Sequence, residues 1–557
     1  MTGRAATRAL VLGPIALAIL FMSALTYPGA VLASLTTRLT PAPSAPPGPG
    51  GALPWLHVAH PSSGRAYIAD PDGRLVVLQG AIPASLVQYG PSPVLPFPLD
   101  PAAYDGGRCP AAPQWSPYPP FCQSDLKSMA TLGFNSVRLP ISWSVLEPDR
   151  GRFDETYLDR LLQIVGWARE LRMYVIIDMH QNAFSPFVGS GDGVTLRYNS
   201  GAPRWATFTD GFPSRVYGGQ REINPAVFQA TTNFWYDREG IQDEYIAAIA
   251  HVAHRFKDDS TVAGYGVYNE PWFGWNLPPG FEDLLLFPFY RRVIDAITGT
   301  HDGLPCWSGF FMPAVCGYRD LGVDDRRHLM FLDTGLLREV TDFPTHLGLP
   351  ISSYPNLVLA LHPYTHIYTF DAILKKPRSS YPWGGFDQGW NFAELEARAI
   401  DAALFAEELG DDPGDDGFIL GSQLAETERH RTGFAFWTWA ETGGTWGMFD
   451  STSGCLRKGR EELLARVYPR ASADSNVTYH YDSRTGVFSL AATGGAGDAP
   501  TVIYIPPEVG GEVSIGGSAA LSTSASPDGS RLATVSPTGG PFTVSLAPRA
   551  VALKGCA

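Results

Sequence analysis

From about residue 64 the chain alternates short apolar runs with longer amphipathic stretches. Arg74-Leu75-Val76-Val77-Leu78-Gln79-Gly80 predicts a first strand, and Phe134 to Pro140 a second. Asp154 is placed to cap a helix carrying Tyr157, Leu158, Leu161, Leu162, Val165 and Ala168 along one face. Met173 to His180 is an unbroken apolar run of the kind that parallel sheets bury on both sides. A helix over Ile241 to Arg255 precedes the run beginning at Ala263, which is expected to continue as a strand as far as Glu270. Pro271 stops it, because proline has no N–H for the ladder. Later strands are expected over His328 to Leu332, Leu357 to His362, Ala403 to Glu408 and Gly433 to Trp439. Eight strands with intervening helices predict an α/β fold, a (β/α)8 TIM barrel with long loops, over residues 64–470.

After Tyr468-Pro469-Arg470 the pattern changes to short β-runs broken by Gly, Ser, Pro and Asp. Residues 471–557 are therefore expected to form a small antiparallel β-sandwich. It has no row of aromatic residues for stacking on sugars, so a packing module is the simpler reading than a sugar-binding one. At the other end, Arg4 and Arg8 precede an apolar run from Ala9 to about Leu25, and Val31-Leu32-Ala33 supplies small residues for a peptidase. Residues 1–33 thus read as an export signal, with an uncleaved membrane anchor as the alternative. Residues 34–63 include the Pro/Gly/Ser-rich stretch Pro41 to Gly51 and read as a flexible tether.

Composition narrows the function classes. A net charge of −14 argues against a nucleic-acid partner, which would call for a basic stripe. Six cysteines fit an oxidising compartment, and their positions favour bridges Cys109–Cys122, Cys306–Cys316 and Cys455–Cys556. There is no Cys-x-x-Cys and no His-x-x-x-His pair on a helix, so neither metal nor cofactor is expected.

In a barrel of this kind, chemistry gathers where strands end at the carboxyl face. Those ends carry Arg138, His180, Asn269 with Glu270, His362 with Tyr364, Glu408 and Trp437. Each has a bland alternative: a solvated arginine, a structural histidine before Pro363, an indole facing the core. Their convergence on one rim is what points to a site. Glu270, among apolar neighbours and Trp272, is expected to hold a proton near neutral pH and act as a general acid.

These motifs, in this order, resemble glycoside hydrolase family 5. The residues that carry the resemblance are Asn269-Glu270-Pro271, Arg138 on the second strand, His180 after the third, His362-x-Tyr364 after the sixth and Trp437 on the eighth. Asp178-Met179-His180-Gln181, Asn269-Glu270-Pro271-Trp272-x-Gly274 and Phe436-Trp437-Thr438-Trp439 are similar to its endoglycoceramidase-like branch. The resemblance implies a nucleophilic Glu on the seventh strand. Two glutamates compete there, Glu407 and Glu408; the Glu-x-Gly register with Gly410 selects Glu408, and strand alternation is expected to turn Glu407 away from the mouth. It further implies retention of configuration. Glu408 would attack, Glu270 would serve as acid and then base, Arg138 and Tyr364 would bond Glu408, and Asn269 would hold the sugar 2-OH. His180 and His362 would bind or orient hydroxyls, and Trp437 would face the sugar ring.

Two positions depart from the family pattern. Asn182 stands where an acidic residue follows the Gln, and Gly80 to Ser85 has no lysine. Both would touch the glycone, so a different sugar preference is expected. Pro278 to Phe281 and Leu284 to Tyr290 are candidates for an apolar aglycone groove. The resulting expectation is a secreted, monomeric, retaining β-glycosidase acting on a glycolipid or oligosaccharide, with membrane-surface contact through substrate or an N-terminal anchor. A β-glucanase or β-glucosidase is the alternative within enzymes, and a non-catalytic carbohydrate-binding surface protein the alternative outside them.

Overall fold

The computed structural model describes residues 52–89, 95–113, 116–189, 199–276, 280–304, 306, 314–342, 344, 350–364, 385–547 and 553–556. The expected export signal and the Pro/Gly-rich stretch before residue 52 lie outside these, as do Pro278 and Pro279. No helix among the described residues is long and apolar enough to cross a membrane.

The N-terminal strands β1 (His57–Ala59), β2 (Tyr67–Ala69) and β3 (Leu75–Val76) come first, followed by eight parallel strands: β4 (Gln79–Ala81), β5 (Ser136–Ile141), β6 (Tyr174–Met179), β7 (Val262–Gly266), β8 (Leu329–Asp333), β9 (Leu357–Ala360), β10 (Ala403–Leu409) and β11 (Phe434–Phe436). The eight close into a barrel, with β11 pairing β4. Continuous apolar runs produce this because each strand is covered inside and out; all six residues of β6 are buried. The helix Glu155–Glu170 begins at Asp154, whose side chain accepts from the Tyr157 N–H, as the capping pattern predicts. Its buried face carries Ile164 and not Leu162, which is 39% exposed. Leu162 is a correction to the expected face.

Three further expectations are corrected. Arg74 to Gly80 is not one strand but two, because the chain crosses between sheets at Val77 and Leu78: β3 joins the C-terminal sheet and β4 the barrel. Residues 52–63, expected in the tether, are ordered. Leu53, Leu56 and Val58 are buried in one cluster with Leu78, Ile176, Ala263, Leu329 and Phe405 from the barrel strands. Third, the strand before Glu270 ends at Gly266, so Glu270 sits beyond it in a bend, with φ +44°.

The strands β12 (Tyr468–Ser472), β13 (Thr478–Asp482), β14 (Val487–Gly494), β15 (Thr501–Ile505), β16 (Glu512–Ala525) and β17 (Arg531–Ala547) join β1–β3 in one nine-stranded antiparallel sheet. By pairing this is one continuous antiparallel sheet. β17 ties it together: Arg531 to Val535 pair with β15, and Gly540 to Leu546 with β14. Its buried positions switch from Ala533, Val535 and Pro537 to Phe542, Val544 and Leu546, an odd-to-even change across Gly539 and Gly540, both at positive φ. The sheet meets the barrel where Tyr468 Oη donates to the Gly133 carbonyl at 2.8 Å and Tyr504 Oη to that of Thr131 at 3.1 Å. The three disulfides pair as expected.

Candidate active site

The carboxyl ends of the barrel strands surround a cavity of about 600 Å3. Glu270, Glu408, Tyr364, Trp437 and Asn182 line it, together with Tyr89, Tyr118, Arg221, Leu336, Val340, Glu441 and Trp446, among others. A carboxylate oxygen of Glu270 and one of Glu408 lie within 4.8 Å of each other and of a His362 ring nitrogen.

Arg138, fully buried on β5, organises the floor. It donates to Glu408 Oε2 at 2.7 Å and to Asn269 Oδ1 at 2.8 Å, and lies 3.2 Å from Asp178 Oδ1 and 3.3 Å from Glu407 Oε1. Burial opposes its charge, but Asp178, Glu407, Glu408 and Asp333 outweigh that and hold the guanidinium firmly protonated. Tyr364 Oη donates to the other oxygen of Glu408 at 2.9 Å. Glu408 is thus held by a cation and a phenol, as expected.

The alternation argument for Glu407 is corrected. The register between β10 and β11 slips between Ala406 and Leu409, so three steps on β10 match two on β11. This bulge breaks the two-residue alternation and lets both glutamates reach Arg138. Glu408 lines the cavity, whereas Glu407 lies in a buried layer whose carboxyl burial and the charges of Asp178 and Asp333 push up to about 8 against the pull of Arg138 and His362. Room for that layer comes from Gly266, where a Cβ would fall 2.8 Å from Asp178 Oδ1 and 2.9 Å from Glu407 Oε1. Gly410, two residues after Glu408, is equally constrained: a Cβ there would meet the Trp437 carbonyl oxygen at 2.1 Å.

Glu270 is held from three sides. Its N–H donates to Asp333 Oδ2 at 2.7 Å, its carbonyl accepts from Gln181 Nε2 at 2.9 Å, and its Oε1 lies 3.1 Å from His362 Nδ1. His362 is fully buried between Glu270 and Asp333, whose Oδ2 is 3.4 Å from its Nε2. It therefore touches the carboxylate and not the cavity, which corrects its expected role on sugar hydroxyls. Burial works against its charge, yet Asp333, the bond to Glu270 and the charge of Glu408 push its pKa up to about 9. His180 bonds Asp178 through Nδ1 at 2.8 Å and stacks on Trp437, with ring centroids 5.7 Å apart and planes 5° from parallel. Its Nε2 is buried with no hydrogen-bond partner among the described residues. Asn269 gives Oδ1 to Arg138 and one amide hydrogen to the Gln181 carbonyl at 3.0 Å.

Glu270, His362 and Glu408, and likewise Asp333, His362 and Glu407, offer atoms close enough to share a cation. The positive charge at this spot is supplied by Arg138 and by His362. The expected groove residues Phe281, Leu285, Leu286, Phe287, Phe289 and Tyr290 are buried in the main core, so they form no wall. Leu336 and Val340 on the helix Leu336–Thr341 take that place, and the Leu336 N–H bonds the Pro271 carbonyl beside Glu270. Asp333 and Glu339 escaped the sequence reading. Asp333 lies one residue past the strand end set at Leu332, and Glu339 sits on a short helix without a motif.

Residues 105–302 match the family model described as cellulase (glycosyl hydrolase family 5). Endoglycoceramidase I of Rhodococcus hoagii (strain 103S) is 25% identical over 389 residues, 68% of this chain and 71% of that protein. The endoglycoceramidase of Hydra vulgaris is 24% identical over 417 residues, 69% of this chain and 72% of that protein. Among solved structures, an endogalactoceramidase superposes with TM-score 0.67 at 27% identity, covering 89% of this chain and all of that one. Endo-glycoceramidase II from Rhodococcus sp., as its lactosyl-enzyme intermediate, superposes with TM-score 0.65 at 26% identity over 87% of this chain and all of that one. Motif order, barrel and matches agree: the chain is similar to glycosyl hydrolase family 5 over residues 105–302 and is a glycosyl hydrolase.

Proposed function

We propose that this chain is a retaining β-glycosidase that cuts the bond between a sugar and a lipid aglycone, with Glu408 as nucleophile and Glu270 as acid and base. The observation that carries the reading is the approach of the Glu270 and Glu408 carboxylates to within 4.8 Å across one cavity. Retaining enzymes need about 5–5.5 Å between the two carboxyl groups, whereas inverting ones leave room for a water. Arg138 and Tyr364 occupy both oxygens of Glu408 and favour its charged, attacking form. Glu270 protonates the departing oxygen; once Glu408 is esterified, the negative field on Glu270 falls and it can take a proton from water.

The remaining roles follow from free valences. Asn269 keeps a second amide hydrogen for the sugar 2-OH. His180 Nε2, buried and unpartnered among the described residues, is the acceptor or donor for a neighbouring hydroxyl. Trp437, braced by His180, presents a face to the ring, and Asn182 lies on the same cavity wall. The aglycone departs on the Glu270 side, where Leu336 and Val340 make the wall apolar. That wall and the endoglycoceramidase relatives support a glycolipid; a Rhodococcus relative is known as a complex with ganglioside GM3. Three disulfides support export, and we propose a secreted monomer that meets its substrate at a lipid surface.

The test is a screen of purified protein on lactosyl-, glucosyl- and galactosylceramide in detergent against cellulose oligomers. Free sugar and intact ceramide are expected from at least one lipid. Cleavage of oligomers alone would favour the glucanase reading, which the cellulase description of the family model keeps in view.

A further inference from the structure

Two buried acids, neither of which can reach a substrate, close a ring around Glu270. Asp333 ends β8 with 2% exposure, and Glu339 has none. Asp333 Oδ2 accepts the Glu270 N–H at 2.7 Å and also lies 3.4 Å from His362 Nε2, while the other ring nitrogen is 3.1 Å from Glu270 Oε1. One oxygen therefore controls both ends of Glu270: its backbone directly and its carboxylate through an imidazole. Asp333 is itself fixed, since Tyr290 Oη donates to its carbonyl at 2.7 Å. The backbone it restrains sits at φ +44°, in the left-handed region a glutamate seldom adopts, so the bend depends on outside bonds.

Glu339 shares a side-chain hydrogen bond with Asp333 and accepts from Thr334 Oγ1 at 3.4 Å. Burial, Asp333, Glu270 and Glu408 all hold Glu339 in its protonated form. Asp333, Glu339 and His362 form a buried trio in which burial pushes Asp333 up as well, against the pull of His362, Glu339, the Glu270 N–H and Arg138. Its helix contributes Leu336 and Val340 to the cavity wall, so the trio also links Glu270 to the aglycone side.

We propose that Asp333 and Glu339 are positioning residues for Glu270: Asp333 sets the bend and the imidazole, and Glu339, fully buried with Oε2 4.0 Å from His362 Nδ1, braces the same imidazole. This rests on reading Glu270 as the acid and base. The groups that face the trio are Arg138 from β5, Asp178 from β6, Glu270 after β7, Tyr290 from the helix Phe287–Thr298, and Glu407 and Glu408 from β10. Of these only Glu270 is changed below, in the reference variant Glu270→Ala. Removing the Asp333 charge takes away the main support of His362 protonation. Glu270 then loses a positive neighbour on its carboxylate and a negative one on its backbone.

The test compares Asp333→Asn, Glu339→Gln, Glu339→Ala and Glu270→Ala on two aryl β-lactosides, one with a dinitrophenyl and one with a phenyl leaving group. Asp333→Asn is expected to lower kcat/KM about 30-fold on the phenyl substrate, less than loss of the acid itself would, and by less than about threefold on the dinitrophenyl one. The alkaline limb of its pH profile should move. Glu339→Gln, which keeps a donor beside Asp333, should lose less than Glu339→Ala on the phenyl substrate; this pair carries the test if Asp333→Asn does not fold. Equal losses on both substrates with an unmoved alkaline limb would make Asp333 merely structural and overturn the proposal, as would Glu339→Ala retaining more activity than Glu339→Gln. If Glu270→Ala itself loses equally on both substrates, the reading of Glu270 falls; if it does not and Asp333→Asn does, only this inference falls.

Discussion

The barrel mouth and the antiparallel sheet are built by opposite rules from one chain. In the sheet, strands such as β14 alternate exposed and buried positions without interruption, and the buried ones are Phe488, Leu490 and Ala492. In the mouth, the buried positions include Arg138, Asp178, Asp333, Glu339, Glu407 and Glu408. Apolar burial stabilises wherever it occurs. A buried ion network is often neutral for stability, and removing one member is costly because the others are left unpaired. The difference teaches that the sheet holds the fold while the mouth holds a charge arrangement.

The widest gap between the two regions should appear in activity. Glu408→Ala is expected to lose about 10⁴-fold or more in kcat, as removal of a nucleophile does in other enzymes. In Glu270→Ala, azide should restore turnover of an activated aryl glycoside and give the β-azide, because it enters the face the aglycone left. An α-azide from Glu408→Ala with no rescue of Glu270→Ala would exchange the two roles.

Two substitutions of similar cost separate stability from function. Arg138→Ala strands four acids and should destabilise by about 3–5 kcal/mol, abolishing activity as well. Phe488→Ala empties part of the sheet core and should also cost about 3–5 kcal/mol, yet leave kcat/KM within about twofold at a temperature where the variant is folded. Denaturant melts with parallel assays check both; loss of activity in folded Phe488→Ala would show that the sheet contributes to the site.

A smaller effect concerns pH. Glu407 and His362 both have folded pKa values above their unfolded ones, at about 8 and about 9. Each therefore adds stability that is complete below its unfolded pKa, about 4.3 for Glu and 6.5 for His, and is lost as pH rises through the folded value. These two groups should lower the melting temperature from about pH 4.3 up to pH 9, and Glu407→Gln should flatten the part of that decline below pH 8. An unchanged slope in Glu407→Gln would remove Glu407 from the account.

Much of this was legible in the sequence where the signal is local. The apolar runs of β5, β6, β8 and β10 stand out because a parallel strand must be apolar on both faces; Arg138 lies within β5, Glu408 near the end of β10, and Glu270 and Tyr364 just past β7 and β9. The rest depends on contacts between distant segments. Nothing near Leu75 tells that it pairs with Ser472 and not with the barrel. The bulge that turns Glu407 inward is set by β11, and the bend at Glu270 by Asp333, 63 residues away. His362 looked like a hydroxyl ligand because its motif says where it sits, not which acids surround it.

The most direct test of the central claim is to trap the glycosyl-enzyme. Incubating the wild-type protein with a 2-deoxy-2-fluoro dinitrophenyl β-glycoside slows release of the sugar more than its attachment, so a covalent adduct should accumulate. Peptide mass spectrometry is predicted to place that adduct on Glu408. An adduct on Glu407, or turnover with inversion and no adduct, would contradict the account.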